Sequence, residues 1–168
     1  MKRPAHIVTI GYEGASLEGF LATLQTAGVH HVLDIREFPI SRRRGFSKTA
    51  LSAALAAAGI AYTHERALGS PRELRHQLRN DGNLERFFVD FREYLATQQA
   101  LLKALADTLT GTVALLCYER DHAECHRSVV ATALARRTRT TTVHLTVPHA
   151  QQASATTRSD PRQSLPAA

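Results

Sequence analysis

The chain has 168 residues and 43% hydrophobic side chains, enough for one domain with a core of its own and too few for two. No apolar run approaches the roughly 18 uninterrupted residues of a membrane-spanning helix, and the N-terminal stretch lacks the apolar segment of a signal peptide, so a cytoplasmic protein is expected. The formal net charge of +6 comes almost entirely from arginine, Lys2, Lys48 and Lys103 being the only lysines; this suits bidentate grips on phosphate or carboxylate, and suits equally a base composition that favours arginine.

In chain order, His6–Ile10 is a short apolar run ending in Gly11-Tyr12-Glu13-Gly14, which predicts a strand and a tight turn. Ser16 is placed to cap a helix in which Leu17, Phe20, Leu21 and Leu24 recur at helical spacing, with Gly28 as its stop. Val32–Ile35 predicts a second strand, followed by a loop through Pro39 and the block Arg42-Arg43-Arg44. Ser47 opens a helix with Leu51, Ala54, Leu55 and Ala58 on one face, and Ile60–Thr63 is a third strand. A turn-rich stretch, His64-Glu65-Arg66 and Leu68-Gly69-Ser70-Pro71, leads to a short helix with Leu74 and Leu78.

Asn83 is expected to cap the longest helix, whose stripe Leu84, Phe87, Phe88, Phe91 and Leu95 runs on to Leu102 and Leu105. That period predicts packing for its aromatic rings rather than base stacking. Thr112–Cys117 is a fourth strand, Ser128–Leu134 lies in a helix and Thr142–Val147 is a fifth strand. The Gln, Ser, Thr and Pro content beyond reads as a disordered tail, dividing the chain into a domain over residues 1–148 and a tail over 149–168.

Alternating strands and helices predict a three-layer α/β domain, a mostly parallel five-stranded sheet flanked by helices. Ligands of such sheets bind beyond the carboxyl ends of the strands. Tyr12 and Glu13, Asp34 and Arg36, His64 and Glu65, and Tyr118 and Glu119 follow the first four strands and are expected to share one cleft.

Five segments in order carry a resemblance: Gly11-Tyr12-Glu13-Gly14; Asp34-Ile35-Arg36 with Pro39; Arg44-Gly45-Phe46-Ser47; Leu68-Gly69; and Leu116-Cys117-Tyr118-Glu119 with Cys125-His126-Arg127. Together they resemble the family catalogued as domain of unknown function 488, over roughly residues 7 to 145. Where that pattern has a second glycine after the Leu-Gly pair, this chain has Ser70. The resemblance implies a single α/β domain and brings no established reaction.

Three kinds of chemistry suit these residues. Cys125, at a predicted helix start beside His126 and Arg127, has the setting of an activated thiolate nucleophile, while Cys117 belongs to an apolar strand and is expected in the core. The Cys-x5-Arg loop of cysteine phosphatases is absent, since Ala131 stands six residues after Cys125 and Ala123 six after Cys117. Cys117, His122, Cys125 and His126 offer metal ligands within ten residues, but not at the paired spacing of a structural zinc site, so no metal is assigned.

The third is anion binding. Arg127 and the unpaired N–H groups of a helix start would hold a phosphate, with Arg36, Arg42, Arg43 and Arg44 steering or clamping it and Tyr12, Tyr118, His126 and Ser128 completing the contacts. Glu13, Asp34, His64 and Glu119 are then acid/base groups or partners that orient the arginines.

The expected function is an anion-binding cleft that binds or processes a phosphate-bearing nucleotide or nucleic acid by hydrolysis or group transfer. The alternative is a non-catalytic module that binds nucleic acid through its arginine-rich surface. Neither a Gly-x-Gly-x-x-Gly fingerprint nor a Walker loop occurs, so no cofactor is expected.

Overall fold

Apolar residues in the strands alternate between two cores, because successive side chains of a strand point to opposite faces of its sheet. Val8, Ile10 and Val32 enter one core, and Ile7, Leu33 and Ile35 the other. A sheet buried on both faces needs helices on both, and this is the arrangement in the computed structural model, which describes residues 5–150. Strands β1 (His6–Gly11), β2 (His31–Asp34), β3 (Ala61–His64), β4 (Thr112–Cys117) and β5 (Thr142–Leu145) form one sheet in the order β3-β2-β4-β1-β5. Every neighbouring pair is parallel, so the sheet is fully rather than mostly parallel.

Helices α1 (Leu17–Thr26) and α2 (Lys48–Ala57) cover one face through Phe20, Leu24, Leu51 and Leu55. On the other, α4 (Leu84–Ala96), α5 (Gln99–Thr108) and α6 (Arg127–Thr138) contribute Phe91, Leu95, Leu102, Val130 and Leu134, with α3 (Arg72–Asp81) packing only Leu74 against them. The chain therefore runs from β1 to β3 under one helical layer and returns through β4 to β5 under the other, the two senses that right-handed crossovers require. β4 is inserted between β2 and β1, and its connection leaves over the opposite face from theirs. The loops part at its carboxyl end and open a crevice.

Local signals place most boundaries. Ser16 Oγ accepts the Gly19 N–H at 3.0 Å, and Asn83 Oδ1 accepts that of Arg86 at 2.9 Å. Ser47 stands at the N-cap of α2 without capping through its side chain, because its hydroxyl is bonded to Ser41 N–H (3.0 Å) and C=O (3.2 Å). The long apolar stripe expected in one helix is divided between α4 and α5. At the break, the Thr97 hydroxyl donates to the Tyr94 carbonyl at 2.7 Å, competing with the helix ladder, and both halves still reach the same core. Phe91 is buried in that core, in keeping with a packing role, and Phe87 is buried beside it, stacked on the Phe91 ring with centroids 6.3 Å apart. Of the tail expected over 149–168, residues 151–168 lie outside the described residues, while the Ala150 N–H donates to Gly14 O at 3.2 Å.

Arg127 fastens the crevice from beneath. It is fully buried with no carboxylate partner among the described residues, and its guanidinium donates to Thr9 Oγ1 (3.3 Å), Arg120 O (3.0 Å) and Glu119 O. Strand β1 approaches this loop so closely that a Cβ at Gly11 would lie 1.8 Å from the Glu119 carbonyl oxygen. We expect Arg127→Met to lower stability by about 2–5 kcal/mol, because the two carbonyls are left without donors. Gly11→Ala should displace the 119–120 backbone and also unfold at lower urea; unchanged midpoints for both would remove this loop from the framework.

Candidate functional site

The crevice holds a cavity of about 670 Å³. Tyr12 enters from the end of β1, Arg36 to Arg43 from the loop after β2, and Ser70, Arg75 and Leu78 from the segment leading into and along α3. Phe87, Cys117, Tyr118, Glu119, Glu124 and His126 complete the lining. Phe38 (45%), Ile40 (78%) and Tyr118 (48%) are exposed apolar or aromatic side chains at the same opening.

One wall is built by a buried ion pair. Arg36 donates through Nε to Asp34 Oδ1 (2.9 Å) and through Nη2 to Asp34 Oδ2 (2.6 Å), while Nη1 donates to the Phe46 carbonyl (2.7 Å) and the Tyr12 hydroxyl (3.1 Å). Tyr62 donates its hydroxyl to the same carboxylate at 2.6 Å. Burial alone would weaken the Arg36 charge, but the bidentate Asp34 outweighs it and keeps the guanidinium protonated. Burial and the hydrogen bond to Asp34 also raise the Tyr62 phenol. The Tyr12 ring stacks on Phe46 with centroids 4.5 Å apart. Asp34 thus orients Arg36 and does not line the cavity, and His64 lies behind it with Nε2 donating to the Arg36 carbonyl at 2.7 Å.

The floor gathers the sulfur and imidazole groups. The Cys117 thiol donates to Glu119 Oε2 at 3.0 Å, and His126 Nδ1 lies 3.7 Å from Cys117 Sγ and 3.8 Å from Cys125 Sγ. His126 Nε2 is 3.1 Å from the Ile35 carbonyl oxygen. A carbonyl only accepts, so Nε2 carries a proton, and in the neutral ring Nδ1 presents its lone pair to both sulfurs. Burial would raise the Glu119 carboxyl; hydrogen bonds from the two thiols and from the backbone, with the charge of His126 when it is protonated, reverse this and hold it below its usual value. Burial disfavours a charged His126, but Cys125, Glu119 and the Ile35 carbonyl outweigh that and raise its proton affinity.

Cys125 departs from the expectation of an activated thiolate. It is 1% exposed, and burial together with the neighbouring Cys117 pushes its thiol up, opposite to the shift that activation needs. The helix start is likewise not an anion cradle, because its N–H groups already have acceptors. Arg127 N–H meets Cys125 Sγ at 3.5 Å, Ser128 N–H meets the Cys125 carbonyl at 3.2 Å, and the N–H groups of Val129 (3.0 Å) and Val130 (3.2 Å) share the His126 carbonyl. Arg127 is held by protein acceptors away from the cavity, and Ser128 Oγ donates to the Cys125 carbonyl at 2.9 Å.

Of the other expected contacts, Tyr12, Arg36, Arg42, Arg43, Tyr118, Glu119 and His126 converge on the cavity; Arg44 and Glu13 do not line it. Glu13 accepts the Arg120 N–H at 3.0 Å. His122 stacks on His144 with centroids 3.6 Å apart and stands outside the sulfur cluster. Cys117 is buried as expected for a core residue, and as the last residue of β4 it also lines the cavity; that terminal position was the available signal for the second role. Ser70 and Arg75 carried no comparable signal, because the helical segment that brings them in has no strand of its own; Glu124 enters from the turn after β4, beyond the Tyr118-Glu119 pair that directly follows the strand.

A family model matches residues 16–134. The chain belongs to the family described as domain of unknown function DUF488. No curated protein and no solved structure matches it. The DUF488 match contains β2 to β4, the cavity loop after β2 and the Cys125-His126 pair, and leaves out β1 with Tyr12, and β5.

Two outcomes follow for this DUF488 chain. Asp34→Ala leaves the Arg36 charge buried and unpaired and should cost about 3–5 kcal/mol in urea unfolding, far more than an exposed carboxylate would. In Cys117→Ser, alkylation of Cys125 at pH 8 should run at least about tenfold slower than after unfolding, since the thiolate is the reactive form. Equal rates would contradict the direction of its shift.

Proposed function

We propose that the cavity binds a phosphate-bearing nucleotide or nucleic-acid segment and processes it by hydrolysis or group transfer. The observation that carries the reading is the layering of one cavity, with aromatic and arginine side chains at its mouth above a Cys117–Glu119–His126 floor. Arg36 is neutralised by Asp34 and Arg75 by Glu37 (2.7 Å), so attraction for an anion rests on Arg42 and Arg43. Arg42 is exposed and has no hydrogen-bond or ion-pair partner among the described residues, whereas Arg43 Nε donates to the Ala15 carbonyl.

Phe38, with the Arg66 guanidinium over one face of its ring, and Tyr118 are half-exposed aromatic side chains against which a base can stack, a contact that tolerates any sequence. Ser70 Oγ supplies a further polar contact: it is buried in the lining and has no hydrogen-bond partner among the described residues. Glu119, kept ionised beside the cavity, is the proton acceptor for a hydroxyl or water nucleophile. The buried floor favours an enzyme over a surface module, because binding to an arginine-rich surface requires no such group below it.

Titration calorimetry with nucleoside mono- and diphosphates, short oligonucleotides and inorganic phosphate tests the reading. Nucleotides should bind more tightly than phosphate. Phe38→Ala or Tyr118→Ala should weaken them about tenfold, within the range of base–aromatic stacking. For oligonucleotides, Arg42→Ala should reduce the slope of log affinity against log salt by about one. Glu119→Gln should retain binding and lose turnover. Binding indifferent to Arg42, Phe38 and Tyr118 would overturn the proposal.

A further inference from the structure

We infer that Cys117, Cys125 and His126 form a binding site for a thiophilic divalent cation of the zinc type at the floor of the cavity. Sγ of Cys117, Sγ of Cys125 and a ring nitrogen of His126 all lie within 4.8 Å of one another, and all three residues are buried. Around a tetrahedral zinc with bonds of about 2.3 Å to sulfur and 2.0–2.1 Å to nitrogen, ligand sulfur and nitrogen atoms are about 3.6 Å apart and two sulfurs about 3.8 Å. The observed S···N separations of 3.7 and 3.8 Å already match that edge without an ion between them.

The orientation of His126 is an independent observation. A ligating histidine characteristically donates its second ring N–H to a carbonyl or carboxylate, which fixes the tautomer and turns the other lone pair to the metal. His126 does this with Nε2 on Ile35 O, leaving Nδ1 as the ligand atom. Hydrogen bonding alone is a poorer account of the cluster, because the Cys117 thiol proton is given to Glu119 and only the Cys125 thiol is left to bond Nδ1, at the long end of contact distance, while the Cys117 sulfur still stands 3.7 Å from that lone pair. The spacing argument that discouraged a metal presumes ligands from a short loop. Here the strand end supplies Cys117, and the start of α6 supplies the adjacent pair, with Cys125 and His126 reaching the same point from successive backbone positions.

Two protein sulfurs and one nitrogen leave a fourth vertex. Cys117 and His126 line the cavity and Cys125 does not, so the ion sits at the floor with Glu119 beside it. Three protein ligands, a cavity and an adjacent carboxylate are the donor set of a hydrolytic rather than a closed structural centre. Binding releases the two thiol protons to solvent as the sulfurs become thiolates. The site stands on the cluster geometry and does not depend on which ligand the cavity takes.

The test uses the full chain, reduced and stripped with a chelator, then loaded with Zn²⁺ or Co²⁺ and gel-filtered. One metal per chain is expected, and the Co²⁺ form should show thiolate-to-cobalt charge-transfer absorption with the intense visible bands of tetrahedral geometry. Zn²⁺ should shield both cysteines from a thiol reagent until chelator is added. Cys117→Ser, Cys125→Ser and His126→Gln should each weaken Zn²⁺ by more than about 100-fold, beyond the effect of losing an outer partner, whereas His122→Ala should bind normally. Where a variant fails to fold, the cobalt spectrum and thiol shielding of the unaltered chain decide. Substoichiometric metal, a cobalt spectrum without thiolate bands, or metal lost with His122 would overturn the site. Nucleotide titration of the stripped protein separates the two proposals, because binding retained there leaves the cavity reading standing whether or not a metal is found.

Discussion

The arrangement turns on one hydrogen bond, from His126 Nε2 to the Ile35 carbonyl at 3.1 Å. Ile35 follows the last residue of β2, and His126 precedes the first of α6, so the bond spans the crevice that β4 creates between its neighbours. It fixes the ring at the one place where both cysteines can face it. The rest of the framework keeps its two ends in register: Asp34 and Arg36 hold the loop after β2, and Arg127 ties the loop after β4 to β1 and α6.

Electrostatics divides the charged residues into two groups that composition does not separate. Asp34, Arg36 and Arg127 are buried and bonded to protein, where a charge persists only with several partners. Arg42 and Glu119 line the cavity, the first exposed at its mouth without a partner among the described residues, the second on the floor, where it accepts the Cys117 thiol. An arginine count of this size therefore says little about anion binding until each guanidinium has been assigned its acceptors.

The sheet, its helices and the gathering of strand ends were legible because each rests on a local rule: alternation within strands, a cap residue before a helix, crossover handedness. Cys125 shows where legibility ended. The sequence correctly set it at a helix start, but the sign of its shift depends on burial and on Cys117, which arrives from a strand eight residues earlier. Arg127 shows the same limit, since its acceptors are two carbonyls of a loop and a hydroxyl of β1. The cluster of Cys117, Cys125 and His126 escaped a spacing rule because it is closed by the turn between β4 and α6, whose geometry no spacing rule encodes.

The central claim is that His126 is held as the Nε2–H tautomer with Nδ1 turned to the two sulfurs, and ¹⁵N NMR of the imidazole reads this directly. In reduced, metal-free protein, at a pH above the raised titration of this ring, the account predicts a proton on Nε2, an unprotonated Nδ1, and a Nδ1 resonance that alone moves strongly when zinc is added. A proton on Nδ1, or a zinc shift confined to Nε2, would contradict it.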